Sequence, residues 1–502
     1  MMTRPRLAAI GLLWLALIAG CAPATSQPPS TRQTAPTPAA AAPIAVASPT
    51  ARPVFAVGST VAGVDVAGLS LAEAEQRLTA TLSPPKTIEL RAGSARLRLA
   101  GAAIDLQAPV ATLLDQARPA LDAGRPASVP ASLSFDPAAL HAQLSTLAAE
   151  VAEPPAIRVI TSTTVLSRSF AFTPGRTLDL DAAVEQVGAR LAAGDSGPFS
   201  LRLTTDRTPP RVPLEQLHAQ LAAMAAEWPG VVGLQLIDLA SGETIGLNEH
   251  SVFAGASTIK TAIMLHAYIN LDRFDQLEET WLKRMIVASD NLAANGLLAA
   301  AAGGQGTEYA FTGAEAMSTM LQEELGLKHT YLYIPFEASD YIKLYKPKYR
   351  CGPQGPVGAR PYTEHGNCLR AEPASMARLY QLIDQCASGE GLLLERFARL
   401  SPRRCQEMLD RLATNGDRTR MVAGVPEGVR VEHKSGWIED MQADVGIVRS
   451  EGGDYVLAIY LYRPLSSGRY LWPDEVMAPV VAAFSRLVYT AYNPLPRASS
   501  EP

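Results

Sequence analysis

Apolar residues along this chain recur at two periods, and the switch between them marks out the elements. Ile88, Leu90, Leu97 and Leu99 alternate with polar residues on either side of Ala92-Gly93, the pattern of a half-buried hairpin. Ser70 and Glu73 read as a capping box ahead of Leu71, Ala74 and Leu78. Asp136-Pro137 reads as the cap and first residue of a helix carrying Leu140, Leu144 and Leu147. A further helix is expected after Asp181, and Phe199, Leu201 and Leu203 alternate as one strand. Residues 55–210 thus read as an α+β domain of short strands and helices.

From residue 211 to 495 the pattern changes. Leu214, Leu217, Leu221 and Met224 follow Pro213 at helical spacing, and Val476, Val480, Phe484 and Leu487 line one side of a helix expected over 474–492. Strands are expected at 231–237 and 244–247, around the turn Ala240-Ser241-Gly242, and at 429–437, 443–448 and 455–462. The middle, from 260 to about 405, is mostly helical. A sheet assembled from both ends of a segment, with a helical insertion between, is an α+β layering. Residues 257–269 are apolar nearly all round, which predicts a buried central helix.

Composition narrows the class. The 502 residues allow two or three domains, and 47% hydrophobic with 19% charged residues is ordinary for globular protein. A net charge of −5 with no Lys/Arg run leaves no footprint for nucleic acid. No Cys/His spacing suggests a metal site, and no cofactor is expected.

At the N-terminus, Arg4 and Arg6 precede an apolar stretch over 7–20 that is short for a membrane span, which needs ~20 apolar residues. Leu17-Ile18-Ala19-Gly20-Cys21 resembles the lipobox of bacterial lipoproteins. That resemblance implies cleavage of 1–21, lipidation of Cys21, export, and anchoring to the outer face of a bacterial membrane. Residues 22–54 are Pro, Ala, Thr and Ser with two charges, Arg32 and Arg52, and read as a tether. Extended as polyproline, it could reach ~100 Å at about 3.1 Å per residue. In an exported chain Cys351, Cys368, Cys386 and Cys405 are disulfide candidates. Four cysteines allow three connectivities, of which pairing between sequence neighbours is the simplest.

Three short motifs carry the chemistry. Ser257 and Lys260 are three apart, so on a helix they share a face. A serine hydroxyl needs an adjacent base to become a nucleophile, and a buried lysine near a second cation is pushed toward its neutral, basic form. Lys434 is the candidate second cation. The same Ser-x-x-Lys spacing recurs at Ser83-Pro84-Pro85-Lys86, where two prolines forbid a helix interior. Ser289-Asp290-Asn291 lies between two apolar helices and suits a helix cap as well as a site. Lys434-Ser435-Gly436 lies in an expected strand, where the glycine would let a substrate backbone approach.

In this order the motifs resemble those of class A β-lactamases and related penicillin-binding peptidases, over residues 211–495. The resemblance implies a β-lactamase/transpeptidase-like domain with an antiparallel sheet and a helical subdomain. It implies that Ser257 forms an acyl-enzyme, that Lys260 takes its proton, and that Ser289 relays a proton to the departing nitrogen. Asn291 would bind the substrate side-chain amide, and Lys434 and Ser435 its carboxylate. The backbone N–H groups of Ser257 and of Trp437, the residue after Gly436, would form the oxyanion hole, and Asp290 would support its loop.

Two departures from the pattern stand out. Only 32 positions separate Ser257 from Ser289, fewer than is typical of the family. The Ω-loop string Glu-x-x-Leu-Asn is absent. Lys328-His329-Thr330-Tyr331-Leu332 resembles its lead-in and makes Glu337 the positional candidate for the deacylating base, against a plain surface carboxylate. Residues 341–368, rich in Lys and Tyr between Glu337 and Cys368, read as a long loop and a candidate stapled lid over the acyl site.

In the first half, residues 61–70 with Ala72-Glu73-Ala74, and residues 173–179, resemble parts of a peptidoglycan-binding-type domain found beside VanW-type and transpeptidase modules. That implies a peptidoglycan contact, set against a plain spacer. Three functions follow: β-lactam hydrolysis, a cell-wall D,D-peptidase that deacylates slowly, and a non-catalytic wall-binding lipoprotein. The partners are a β-lactam or peptidoglycan peptide as substrate, and a membrane through the lipid anchor.

Overall fold

Five antiparallel strands from the two ends of the second half form one sheet. Their order is Thr244–Leu247, Val231–Asp238, Tyr455–Tyr462, Met441–Arg449 and Arg430–Ile438. The computed structural model describes residues 52–162, 166–349, 351, 368–463 and 473–497. Residues 1–51, with Cys21 and nearly all of the expected tether, lie outside the described residues.

The central strand shows why the sheet is covered on both faces. Val456, Ala458 and Tyr460 pack into one core with the helix Lys260–Asn270 and the helix Pro373–Ala387. Tyr455, Leu457, Ile459 and Leu461 pack into a second core with the helices Leu214–Glu227 and Ala478–Tyr492. Successive side chains of a strand point to opposite faces, so an apolar run of this kind must be sandwiched. The fold is α+β, as the periodicity predicts. Arg430–Ile438 is the sheet's edge strand, and the helices Lys260–Asn270 and Pro373–Ala387 of the insertion cover one face of the sheet.

The expected helix over 474–492 is two pieces, Pro473–Val476 and Ala478–Tyr492, broken at Met477 just before Pro479. Within 341–368 the expected loop begins as a helix, Ser339–Tyr345, ended by Lys346 in the left-handed region ahead of Pro347. Arg350 and 352–367, including Tyr362, lie outside the described residues, and most of the lid expected over 341–368 with them. Cys351 is bonded to Cys368, and Cys386 to Cys405.

In the first half the capping box of Ser70 and Glu73 starts the helix Leu71–Thr81, and Asp136 caps Pro137–Val151. Thr87–Ala92 pairs with Ala95–Ala100 as the expected hairpin, and Ser83-Pro84-Pro85 is irregular. Two expectations change. The helix Leu180–Ala192 is capped by Asp179, whose carboxylate accepts from Ala182 N, so it starts before Asp181. The expected strand through Phe199 and Leu203 is two strands. Phe199–Leu201 joins Thr87–Ala92, and Leu203–Asp206 pairs with Gly175–Leu178, because the chain changes sheets at Arg202. The hairpin of Ala156–Ser162 and Ser167–Thr173 packs on the last helix: Phe170 enters the second core, and its N–H donates to Thr490 Oγ1 at 2.9 Å.

Candidate active site

The helix Lys260–Asn270 is preceded by a single 3-10 turn, Ala256–Ile259, which carries Ser257. Every residue from Lys260 to Tyr268 is buried, so the amine of Lys260 sits inside the protein and must find partners there. Its Nζ donates to Ser257 Oγ at 2.9 Å, Ser289 O at 2.6 Å, Ser289 Oγ at 3.2 Å and Asn291 Oδ1 at 2.7 Å. The ring of Phe336 lies 4.7 Å from it, centroid to nitrogen. Four of the residues named from the sequence therefore meet at one atom.

Ser289 reaches this point because its φ is +54°, in the left-handed region, between the helices Gln276–Val287 and Asn291–Ala301. Asp290 holds that turn. It caps the second helix by accepting from Ala293 N at 2.9 Å and pairs with Arg284. Ala256 (φ +41°) and Glu337 (φ +56°) are also left-handed. Such non-glycine conformations are costly and persist where the surroundings fix them, often at functional sites.

Asn291 and Asn295 share a helix face, and together they fix the segment bearing Glu337. Asn295 Nδ2 donates to Phe336 O at 2.7 Å, and its Oδ1 accepts from Phe336 N at 3.0 Å. Asn291 Nδ2 donates to Glu337 Oε1 at 2.8 Å. Glu337 thus joins the cluster, at its solvent-facing side, two hydrogen bonds from Lys260 with Asn291 between them. The i,i+4 spacing of the two asparagines was a readable signal for this clamp.

The edge strand closes the opposite wall. Lys434 is fully buried and donates to its neighbour Ser435 O at 2.9 Å. Gly436 lies against the turn bearing Ser257: a Cβ there would stand 2.7 Å from Ser257 N and 2.8 Å from Thr258 N. Only a glycine lets the strand approach so closely. Trp437, the next residue on the strand, is exposed.

Several charged residues here have no sequence signature. Arg420 is buried, with Asp417 and Asp474 on its guanidinium and Gln442 Oε1 2.7 Å from Nε. Asp417 is held well below the usual carboxylate range although burial opposes it, because Arg420 and hydrogen bonds from Ser435 and Thr419 favour its charge. Asp444, fully buried, accepts from Met421 N at 3.0 Å and lies 2.9 Å from His433 Nδ1.

Electrostatics separate the two lysines. Burial, then the positive charge of Lys434, lowers Lys260 to about 7, while Asp290 and Glu337 pull the other way. Burial lowers Lys434 to about 8, with Asp444 and Asp417 favouring its charge and Arg420 opposing it. Near neutral pH the site can thus hold one basic amine beside a serine hydroxyl and one cation on the facing strand. That is the equipment of serine acyl transfer. Among the described residues no His/Cys/Asp/Glu group could hold a metal ion.

The family model described as the beta-lactamase enzyme family matches residues 216–280 and 278–492, more than half of the chain. The chain belongs to the beta-lactamase enzyme family. Among solved structures it is similar to PBP-A, at 22% identity and a TM-score of 0.40, over 57% of this chain and 98% of the other. It is similar to a mutant of PBP-A in an acyl-enzyme complex with penicillin G, with the same identity and score, over 57% and 99%. A third is the class A beta-lactamase of the last common ancestor of Gram-negative bacteria, at 23% identity and a TM-score of 0.39, over 55% and 99%. No curated protein matches the sequence.

Proposed function

We propose that this protein hydrolyses β-lactams through an acyl-enzyme at Ser257. The observation that carries the reading is the amine of Lys260, lowered to about 7 and 2.9 Å from Ser257 Oγ. Neutral Lys260 takes the hydroxyl proton as Oγ bonds to the lactam carbonyl carbon. The oxyanion is met by the N–H groups of Ser257 and Trp437; one such donor typically contributes about 3–4 kcal/mol. Collapse breaks the C–N bond, and the nitrogen receives a proton through the Ser289 hydroxyl, itself 3.2 Å from Lys260 Nζ. Lys434, Ser435 and the Arg420 cation beyond them favour a substrate carboxylate, and Asn291 a side-chain amide. Glu337 then takes a proton from water as that water attacks the ester carbonyl; collapse breaks the acyl C–Oγ bond, and the proton returns to Oγ, which frees Ser257 and the hydrolysed acid.

A second reading, a D,D-peptidase with slow deacylation, is favoured by the exposure of Glu337 and by its link to the machinery running through Asn291. Incubating the full chain with a labelled penicillin and a chromogenic cephalosporin separates the two. Rapid turnover supports hydrolysis. A persistent label that Ser257→Ala abolishes supports the peptidase, and neither label nor turnover sinks both. Export, the lipid anchor at Cys21 and the peptidoglycan contact of the first half belong to the same proposal. Incorporation of labelled fatty acid, lost in Cys21→Ala, tests the anchor.

A further inference from the structure

Just past Glu337 the surface carries a row of aromatic rings. Tyr345 and Tyr341 are 4.7 Å apart between centroids, Tyr341 and Phe311 5.8 Å, and Phe311 and Tyr349 6.0 Å, with neighbouring planes inclined by 31–37°. Packing accounts for the inner pair, since Phe311 and Tyr341 are half-buried. It does not account for Tyr345 at 65% exposure, Tyr349 at 45% or the adjoining Leu344 at 72%. Exposed apolar surface rimmed by polar groups marks an interaction site. Lys343, Lys346 and Lys348 supply that rim and are all exposed. Asp340, 3.4 Å from Lys343, is the one acid between Ser339 and Tyr349, so this stretch carries a local excess of two positive charges on a chain of net charge −5.

We propose that this row is a docking surface for the glycan strand of peptidoglycan. Flat, amphipathic tyrosine rings suit the apolar faces of pyranose rings, and lysines suit the carboxylates that the strand and its peptides carry. A polyphosphate polymer would satisfy the lysines but leave the exposed rings unused. The surface is also near the acyl site. At ~3.5 Å per extended residue and ~1.5 Å per helical residue, Tyr345 lies within about 16 Å of Glu337. A bound strand would thus hold its peptides at the mouth. The inference goes beyond the reaction proposed above, because it concerns the carrier of the peptide and not the scissile bond.

The test is co-sedimentation of the full chain, carrying Ser257→Ala to prevent acylation, with purified peptidoglycan sacculi stripped of teichoic acid. Tyr345→Ala with Tyr349→Ala should weaken binding by about tenfold. Lys343→Glu with Lys346→Glu should weaken it too and flatten its dependence on salt. Thermal midpoints should stay within a degree or two of the parent. Sedimentation unchanged in both pairs overturns the proposal. So does failure of the parent to sediment, or its release by teichoic acid but not by soluble peptidoglycan fragments. Sedimentation does not depend on turnover, so a chain that hydrolyses no cephalosporin would end the catalytic reading and leave this one standing.

Discussion

Replacing Gly436 by alanine tests the geometry of the oxyanion hole with one carbon atom. The added Cβ would stand 2.7 Å from Ser257 N and 2.8 Å from Thr258 N, where an ordinary contact is at least about 3.4 Å. Both neighbours are backbone, so neither can swing aside, and the turn and strand must separate by roughly 0.6–0.7 Å. That displacement falls on the N–H of Ser257 and on Gly436, whose next residue is Trp437, so it moves both proposed oxyanion donors, the N–H groups of Ser257 and Trp437. Loss of one such donor costs about 3–4 kcal/mol in the transition state, or 10²–10³ in rate. The cost to folding should be smaller, about 1–3 kcal/mol for overpacking. Rapid-mixing kinetics with a labelled penicillin give the acylation rate, and a thermal melt gives the stability. Gly436→Ala should therefore stay folded and acylate at least about a hundredfold more slowly. Acylation within threefold of the parent would show that the strand's approach does not set the oxyanion geometry.

Other consequences follow from the same residues. The acylation rate should rise with pH as Lys260 loses its proton near 7 and fall as Lys434 loses its own near 8; a rise only above pH 9 would contradict a lowered Lys260. Both folded-state values lie below the ordinary 10.5, so the unfolded chain binds more protons between about pH 7 and 10.5, and stability from these groups climbs with pH across that window and is lowest below pH 7. Lys260→Met should accordingly abolish acylation while raising stability at pH 7 by roughly 1–4 kcal/mol in urea melts; a less stable variant would refute the penalty. Glu337→Gln should acylate normally and accumulate the ester, seen as a lasting penicillin label, whereas unchanged turnover would remove Glu337 from the mechanism. Reducing Cys386–Cys405, which closes a separation of 19 residues, should cost about 3 kcal/mol, and an unchanged melt on reduction would argue against the bond.

What could be read from the sequence was what chemistry or burial constrains tightly. Ser257, Lys260, Ser289, Asn291 and Lys434 are legible because each residue type is needed at its spacing, and Tyr455–Tyr462 because a strand covered on both faces must be apolar throughout. Arg420, Asp417 and Asp444 were not legible. They are single charges whose meaning depends on which strand or loop they fold beside, and no spacing records that. Glu337 was reachable by position alone. Its link to the cluster rests on Asn295 gripping the backbone of Phe336, a contact 41 residues away in the chain. Asp179 outranked Asp181 as a cap because two nearby acids satisfy the same rule, and only the N–H of Ala182 distinguishes them. The strand through Phe199 and Leu203 kept its alternation while changing sheets, which a period of two cannot show.

Acylation of Ser257 is read from the intact mass of the full chain after brief exposure to penicillin G. One added penicilloyl group is expected, mapped by proteolysis to the peptide containing Ser257 and absent from Ser257→Ala. If Glu337 turns the ester over quickly, the group should persist in Glu337→Gln. An unmodified mass in the parent and in Glu337→Gln, with no hydrolysed penicillin in solution, or an adduct on any other residue, would contradict it.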